Sequence, residues 1–242
     1  MAVLPSYLQP FVVPVPAREP QRQGTVDLYL PEDDTPHPAI VFVHGGPVPA
    51  DRRPTPRDWP VFRGYGALAA TRGVVGVTLD HRLHSLADYP HAAEDVASAV
   101  AFVRSIPRVD ADRIAVWHFS GAGLLLADWL REPAPWLRCA AATYPLLALP
   151  SGSAVDPRFD PIAALATTGP RLPVVLTRAG KERPALAEAV ERFVAAARTH
   201  QVRLALVDVP DGQHGFDMLD HTDASRDAVE RAMNLVIAAL HT

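Results

Sequence analysis

The stretch Ile114-Ala115-Val116-Trp117-His118-Phe119-Ser120-Gly121-Ala122-Gly123 decides how the chain is read, because an apolar, strand-like run stops at a serine flanked by small residues. A serine at a sharp strand-to-helix turn has its hydroxyl lifted clear of the sheet, and only small neighbours fit around the strained backbone. The following run, Leu124-Leu125-Leu126-Ala127-Asp128-Trp129-Leu130, predicts a buried helix whose first amides face the serine and favour negative charge there. Against the pattern Gly-x-Ser-x-Gly, the chain has His118 for the first glycine and Ala122 for the second. The plainer alternative is an ordinary strand-to-helix junction with Ser120 as N-cap. Because a side chain two places before the serine crowds the turn, the His118 imidazole is expected to point away from Ser120 into a neighbouring strand or loop. Ala122 and Gly123 would supply part of the space, and the ring nitrogens would find hydrogen-bond partners.

Two segments on either side favour the first reading. Pro38-Ala39-Ile40-Val41-Phe42-Val43 has the composition of a strand buried on both faces, and it ends in His44-Gly45-Gly46-Pro47. Amides exposed at such a turn can bind the negative charge that develops in acyl transfer, and glycines let a carbonyl approach the chain closely. Pro47 has no N–H, so the donors are Gly45 or Gly46, joined by the amide of Gly121 just after the serine. Downstream, residues 202–210 predict a late strand followed by Asp211-Gly212-Gln213-His214-Gly215-Phe216-Asp217. Of ten histidines, His214 is the one beside glycine in the loop that directly follows the last strand, where an imidazole can swing into a site and exchange a proton with a serine hydroxyl near neutral pH.

With these residues in view, the chain resembles the compact α/β-hydrolases of the dienelactone-hydrolase and small carboxylesterase group. The likeness runs nearly end to end. It includes Val26-Asp27-Leu28-Tyr29-Leu30-Pro31, the glycine turn, Asp80-His81-Arg82 after a strand at 74–79, Val109-Asp110-Ala111-Asp112-Arg113-Ile114, and Gln213-His214-Gly215-Phe216-Asp217. The resemblance implies a mostly parallel, doubly wound sheet flanked by helices, without a large cap domain. It also implies a triad in the order serine, acid, histidine. Its acid falls on Glu182, in the loop Ala179-Gly180-Lys181-Glu182-Arg183-Pro184 after a strand at 173–178. Glu182 could instead simply favour the N-terminus of a helix begun by Pro184 and carrying the apolar stripe Leu186, Val190, Phe193 and Ala197. Asp160 is the reserve acid, while Asp208 and Asp211 lie on the histidine's own segment.

The rest of the composition fits a single α/β domain over residues 1–242, for which the resemblance implies a small ester or lactone as substrate. Hydrophobic residues make up 48% of the chain, enough for a sizeable core, and helical runs at 93–103 and 224–240 alternate with the strands. A net charge of −4, with scattered arginines and one lysine, argues against a nucleic-acid partner. Cys139 lies in an apolar run and reads as a packed strand residue. His81, His84 and His91 are close in sequence, but no His-Glu-x-x-His helix is present, so neither a metal nor a cofactor is expected. No charged start and apolar core of a signal peptide and no bilayer-length apolar run are found; no membrane partner and a cytoplasmic location are the default expectations. Prolines cluster at 47–62, which reads as a long, proline-stiffened loop after the glycine turn, and at 145–161, which reads as a second irregular stretch; Trp117, Phe119, Tyr144, Phe159 and Phe216 are candidate pocket walls. An acyltransferase, a thioesterase or a non-catalytic binding protein would share the same frame.

Overall fold

In the computed structural model, which describes residues 4–149 and 155–242, eight strands form one sheet. They are β1 (Gln21–Gln23), β2 (Val26–Tyr29), β3 (His37–Val43), β4 (Val75–Leu79), β5 (Val109–Phe119), β6 (Leu137–Thr143), β7 (Val174–Ala179) and β8 (Leu204–Val209). Their order is β1-β2-β4-β3-β5-β6-β7-β8. β2 runs antiparallel to β1 and β4, and the remaining neighbours are parallel. Parallel neighbours need crossovers. Here they are made by α1 (Pro60–Thr71), α2 (Tyr89–Arg104), α3 (Leu126–Arg131), α4 (Pro161–Thr168) and α5 (Pro184–Thr199). A short α6 (Phe216–Leu219) and the long α7 (Asp223–Leu240) complete the order.

The period of two along β5 shows why the sheet needs cover on both sides. Ile114 and Val116 join the apolar cluster beneath α2, α3, α4 and α5, whereas Ala115, Trp117 and Phe119 join the cluster beneath α1 and α7. Burial of each large side chain of this kind contributes about 1.5–3 kcal/mol relative to exposure. The apolar stripe expected after Pro184 is present in α5: Leu186, Val190, Phe193 and Ala197 are all buried.

Three local expectations are corrected. The helix expected from Leu124 is an α-helix only from Leu126; Ser120–Leu125 winds as a 3₁₀ turn. The Ser120 carbonyl is taken by the Leu146 N–H at 2.8 Å, and this tighter winding does without the bond from residue 124 that an α-helix would make. The proline-rich loop ends earlier than residue 62, because Pro60 starts α1 and Phe62 is buried within it. Of the second proline-rich stretch, residues 150–154 lie outside the described residues; from 155 on it forms a 3₁₀ turn at Pro157–Phe159 and then α4. Among the described residues no helix is long and apolar enough to cross a membrane.

Candidate active site

The ends of β5, β7 and β8 meet at one edge of the parallel sheet, and the chain leaves each in a tight turn. Ser120 takes φ 49°, a left-handed conformation that costs a non-glycine residue on the order of 1–3 kcal/mol. Its Oγ lies 2.7 Å from Nε2 of His214. On the other side of the ring, Nδ1 is hydrogen-bonded to Oε2 of Glu182. A carboxylate only accepts, so Nδ1 carries the proton and Nε2 is left free to accept from the serine hydroxyl. The Glu182 side chain is 6% exposed against 32% for His214, so the buried acid holds a ring whose far edge is open. Its second oxygen, Oε1, accepts the Arg183 N–H at 2.8 Å.

Backbone bonds between neighbouring loops create this proximity. The Gly180 N–H donates to the Val209 carbonyl at 2.8 Å and the Lys181 N–H to the Gly212 carbonyl at 2.9 Å, which ties the acid's loop to the histidine's. A Cβ at Gly180 would come within 2.0 Å of the Pro210 carbonyl oxygen, so no side chain fits there. Gly215, at φ 78°, turns the chain straight after the histidine into α6.

Gly45, Gly46 and Gly121 are brought against the serine. A Cβ on Gly45 would sit 2.8 Å from Ser120 Cβ, and one on Gly121 would sit 1.9 Å from the Gly46 carbonyl oxygen. Gly121 is second in its 3₁₀ turn, so its amide has no carbonyl one turn behind it to bond. Beneath the glycines, the His44 and His81 rings stack 3.7 Å apart at 9°. His81 Nε2–H donates to the His44 carbonyl at 2.9 Å and His44 Nδ1–H to the Gly45 carbonyl at 2.6 Å. Burial pushes His81 down to about 4 and His44 well below the usual histidine range, so both rings are neutral at pH 7. Any charge that develops above this turn is met by amides rather than by a histidine cation.

His118 departs from expectation. It is fully buried between Val43 and Ala142 on the paired strands, and alternation places it on the Ile114 and Val116 face. Neither ring nitrogen makes a full hydrogen bond among the described residues, and the Ala141 backbone on β6 offers only a weaker polar contact that burial outweighs. The flanking backbone groups are engaged in the sheet, and burial pushes the imidazole down to about 3, which spares the cost of a buried cation. Gly123 does not make room for it: its open side is filled by Pro145 and Leu146. His118→Gly is expected to leave ester turnover within about tenfold of the parent and to lower the unfolding free energy by about 2–4 kcal/mol, mainly through the cavity left behind. Activity assays beside denaturant titration measure both.

The competing residues are placed elsewhere. Asp160 caps α4 by accepting the Ala163 N–H at 2.9 Å, Asp208 pairs with Arg178, and Asp211 lies 3.5 Å from Lys181. Cys139 is buried in β6 with its thiol pushed up to about 12 by burial. His84 bonds the Val48 carbonyl and His91 lies beside Asp88. Among the described residues no cluster of three or more His, Cys, Asp or Glu could hold a metal ion. Trp117, Phe119, Phe159 and Phe216 are core, whereas Tyr144 lies with its ring 4.8 Å from that of His214. The sequence signal for that contact was weak, an aromatic just past the end of β6. A cavity of about 650 Å³ opens beyond the glycine turn between His44, Val48, Arg52 and His84; Ser120 and His214 do not line it.

The architecture is that of the α/β-hydrolase fold. The BD-FAE family model matches residues 26–128, less than half of the chain, a span that holds the glycine turn and Ser120 and stops before Glu182 and His214. Among solved structures the chain is similar to EstE1, a thermophilic and thermostable carboxylesterase cloned from a metagenomic library. The TM-score is 0.75 at 20% identity, over 95% of this chain and 92% of that one. It is also similar to Thermogutta terrifontis esterase 2 phosphoramylated by tabun, with TM-score 0.70 at 20% identity over 88% and 87% of the two chains. The butyrate-bound form of Thermogutta terrifontis Est2 gives TM-score 0.67 at 21% identity over 88% and 87%. At such identities the likeness speaks for the fold. A search of curated proteins returns no match.

Proposed function

We propose that the chain is a serine carboxylic-ester hydrolase acting on small esters or lactones. The observation that carries this reading is the arrangement at Ser120: a strained serine whose Oγ is 2.7 Å from His214 Nε2, with the opposite nitrogen held by buried Glu182. Ser120 Oγ attacks the acyl carbon while its proton passes to Nε2. The amide of Gly121, with that of Gly45 or Gly46, binds the oxyanion. The carbon–oxygen bond to the alcohol then breaks, and Nε2 returns the proton to the leaving alkoxide. Water repeats the sequence on the acyl-enzyme, giving up a proton to Nε2 as it attacks, and releases the carboxylic acid and the serine hydroxyl. Glu182 keeps the imidazole in the required tautomer and stabilises the imidazolium. Structural likeness to carboxylesterases supports the choice of esters.

A fluorophosphonate probe tests the nucleophile without knowledge of the substrate. Stoichiometric labelling at Ser120, together with turnover of short nitrophenyl esters or lactones, is the expected result. No labelling and no hydrolysis across such a panel would leave the fold standing without this chemistry. Product analysis in the presence of alcohol and thiol acceptors separates hydrolysis from acyl transfer.

A further inference from the structure

Asp217 is fully buried three residues after His214, and among the described residues no cation pairs with it. Two phenols satisfy its carboxylate instead. Tyr144 donates to Oδ1 at 2.8 Å and lies 2.9 Å from Oδ2, and Tyr65 of α1 donates to Oδ2 at 3.0 Å. The Asp217 carbonyl accepts the Val12 N–H at 2.9 Å, so the turn carrying His214 is anchored through this one residue to α1, to the chain just past β6 and to the N-terminal segment.

Tyr144 is itself held under constraint. It takes φ 38°, a left-handed backbone disfavoured for a tyrosine, with its N–H on the Thr177 carbonyl at 2.9 Å. Its ring lies 4.8 Å from the His214 imidazole at 54° and meets Phe216 edge-on at 5.7 Å. Two residues further on, the Leu146 N–H donates to the Ser120 carbonyl at 2.8 Å. Residues 144–146 therefore touch the serine through the backbone and the histidine through a side chain.

We propose that Asp217, acting through Tyr144, is a positioning residue for His214: its carboxylate clamps the phenol that backs the imidazole and thereby sets how Nε2 meets Ser120 Oγ. The proposal rests on reading His214 as the base for Ser120. A buried carboxylate without a cation is a poor source of stability, since its desolvation is only partly offset by neutral donors. Burial pushes Asp217 from 3.8 up to about 6. With the folded value above the unfolded one, stability falls as pH rises from about 4 to about 6, and the loss persists above that window. At neutral pH the charge thus opposes folding; Asp217→Asn removes that cost but leaves one acceptor oxygen for two phenols and turns an amide NH2 toward the other position, which loosens the clamp on Tyr144.

The experiment uses the purified full chain with Tyr144→Phe, Asp217→Asn, their double variant and Tyr65→Phe. It reads kcat and KM on nitrophenyl acetate, the rate of fluorophosphonate labelling, and Tm. Tyr144→Phe and Asp217→Asn are each expected to lower kcat roughly tenfold to a hundredfold with KM within about twofold, the signature of a misaimed base. The double variant should be no slower than the slower single, because both act on one contact. Tyr65→Phe loses a comparable hydrogen bond without touching His214 and should cost less kcat than either. Folded Tyr144→Phe and Asp217→Asn with parental kcat would overturn the proposal. So would kcat losses that merely follow Tm through all three single variants. If Asp217→Asn does not fold, Tyr144→Phe decides, since it loses only a hydroxyl. A parent protein that neither labels nor turns over ester removes the base and this proposal together; a labelled parent with unaffected variants removes this proposal alone.

Discussion

Ser120→Ala and His214→Ala are each expected to lower ester turnover on the order of 10⁶-fold, and the double variant to be scarcely slower than either single. The non-additivity follows from the 2.7 Å contact between Ser120 Oγ and His214 Nε2. Neither group does acyl transfer alone, because a serine hydroxyl is a weak nucleophile until a base takes its proton. Residual hydrolysis of about 10³–10⁴-fold over water should persist through the amides around Gly121 and simple substrate binding. Both variants should fold: Ser120→Ala removes one half-buried polar contact worth about 1 kcal/mol, His214→Ala removes two, to Ser120 and to the buried Glu182, and both leave the apolar clusters untouched. Steady-state kinetics, with circular dichroism as a check on folding, measure the outcome. Parental turnover by purified Ser120→Ala would exclude Ser120 as nucleophile.

Glu182→Gln comes second in expected size, with kcat lowered on the order of 10⁴-fold and KM little changed. The loss arises because an amide can present an N–H to the ring and stabilise the tautomer with its proton on Nε2, which cannot accept from Ser120. It also lacks the charge that balances the imidazolium. Glu182→Ala should be similar or somewhat less impaired, since water can enter the vacated space and accept from Nδ1. The Glu182 side chain is 6% exposed, so little solvent screens it from the ring. If both substitutions leave kcat unchanged, Glu182 serves only the start of α5. Asp160 would not then take over, because it is committed to capping α4.

Much of this site could be read from local sequence. The Ser120 turn, the Gly45-Gly46 turn and His214 each follow an apolar run of strand length, and the sheet places the ends of parallel strands at one edge. Glu182 needed the family resemblance, because a glutamate two residues before Pro184 has an equally good local explanation at a helix start. The site residues least visible in the sequence were those defined by contacts between distant segments. Asp217 and Tyr144 are 73 residues apart and join only when the turn after β8 packs against the end of β6. Gly180 gave no sign that it faces Pro210, and no local pattern reports a meeting of two loops.

By itself, then, the sequence determined the strand-and-helix rhythm, the buried faces of β5 and α5, and the three turns that carry serine, glycines and histidine. These follow from periodicity and from backbone demands that act within a few residues. Tertiary structure alone decided that His118 is buried without a full hydrogen bond, that the chain past Ser120 winds as a 3₁₀ turn, and that Glu182 faces His214. Each outcome depends on what an adjacent strand or loop presents: the neighbours of His118 on β3 and β6, the Leu146 amide on the Ser120 carbonyl, and the backbone bonds from Gly180 and Lys181. Side-chain direction and hydrogen-bond satisfaction are properties of the packed neighbourhood, and that neighbourhood is assembled from segments far apart in the chain.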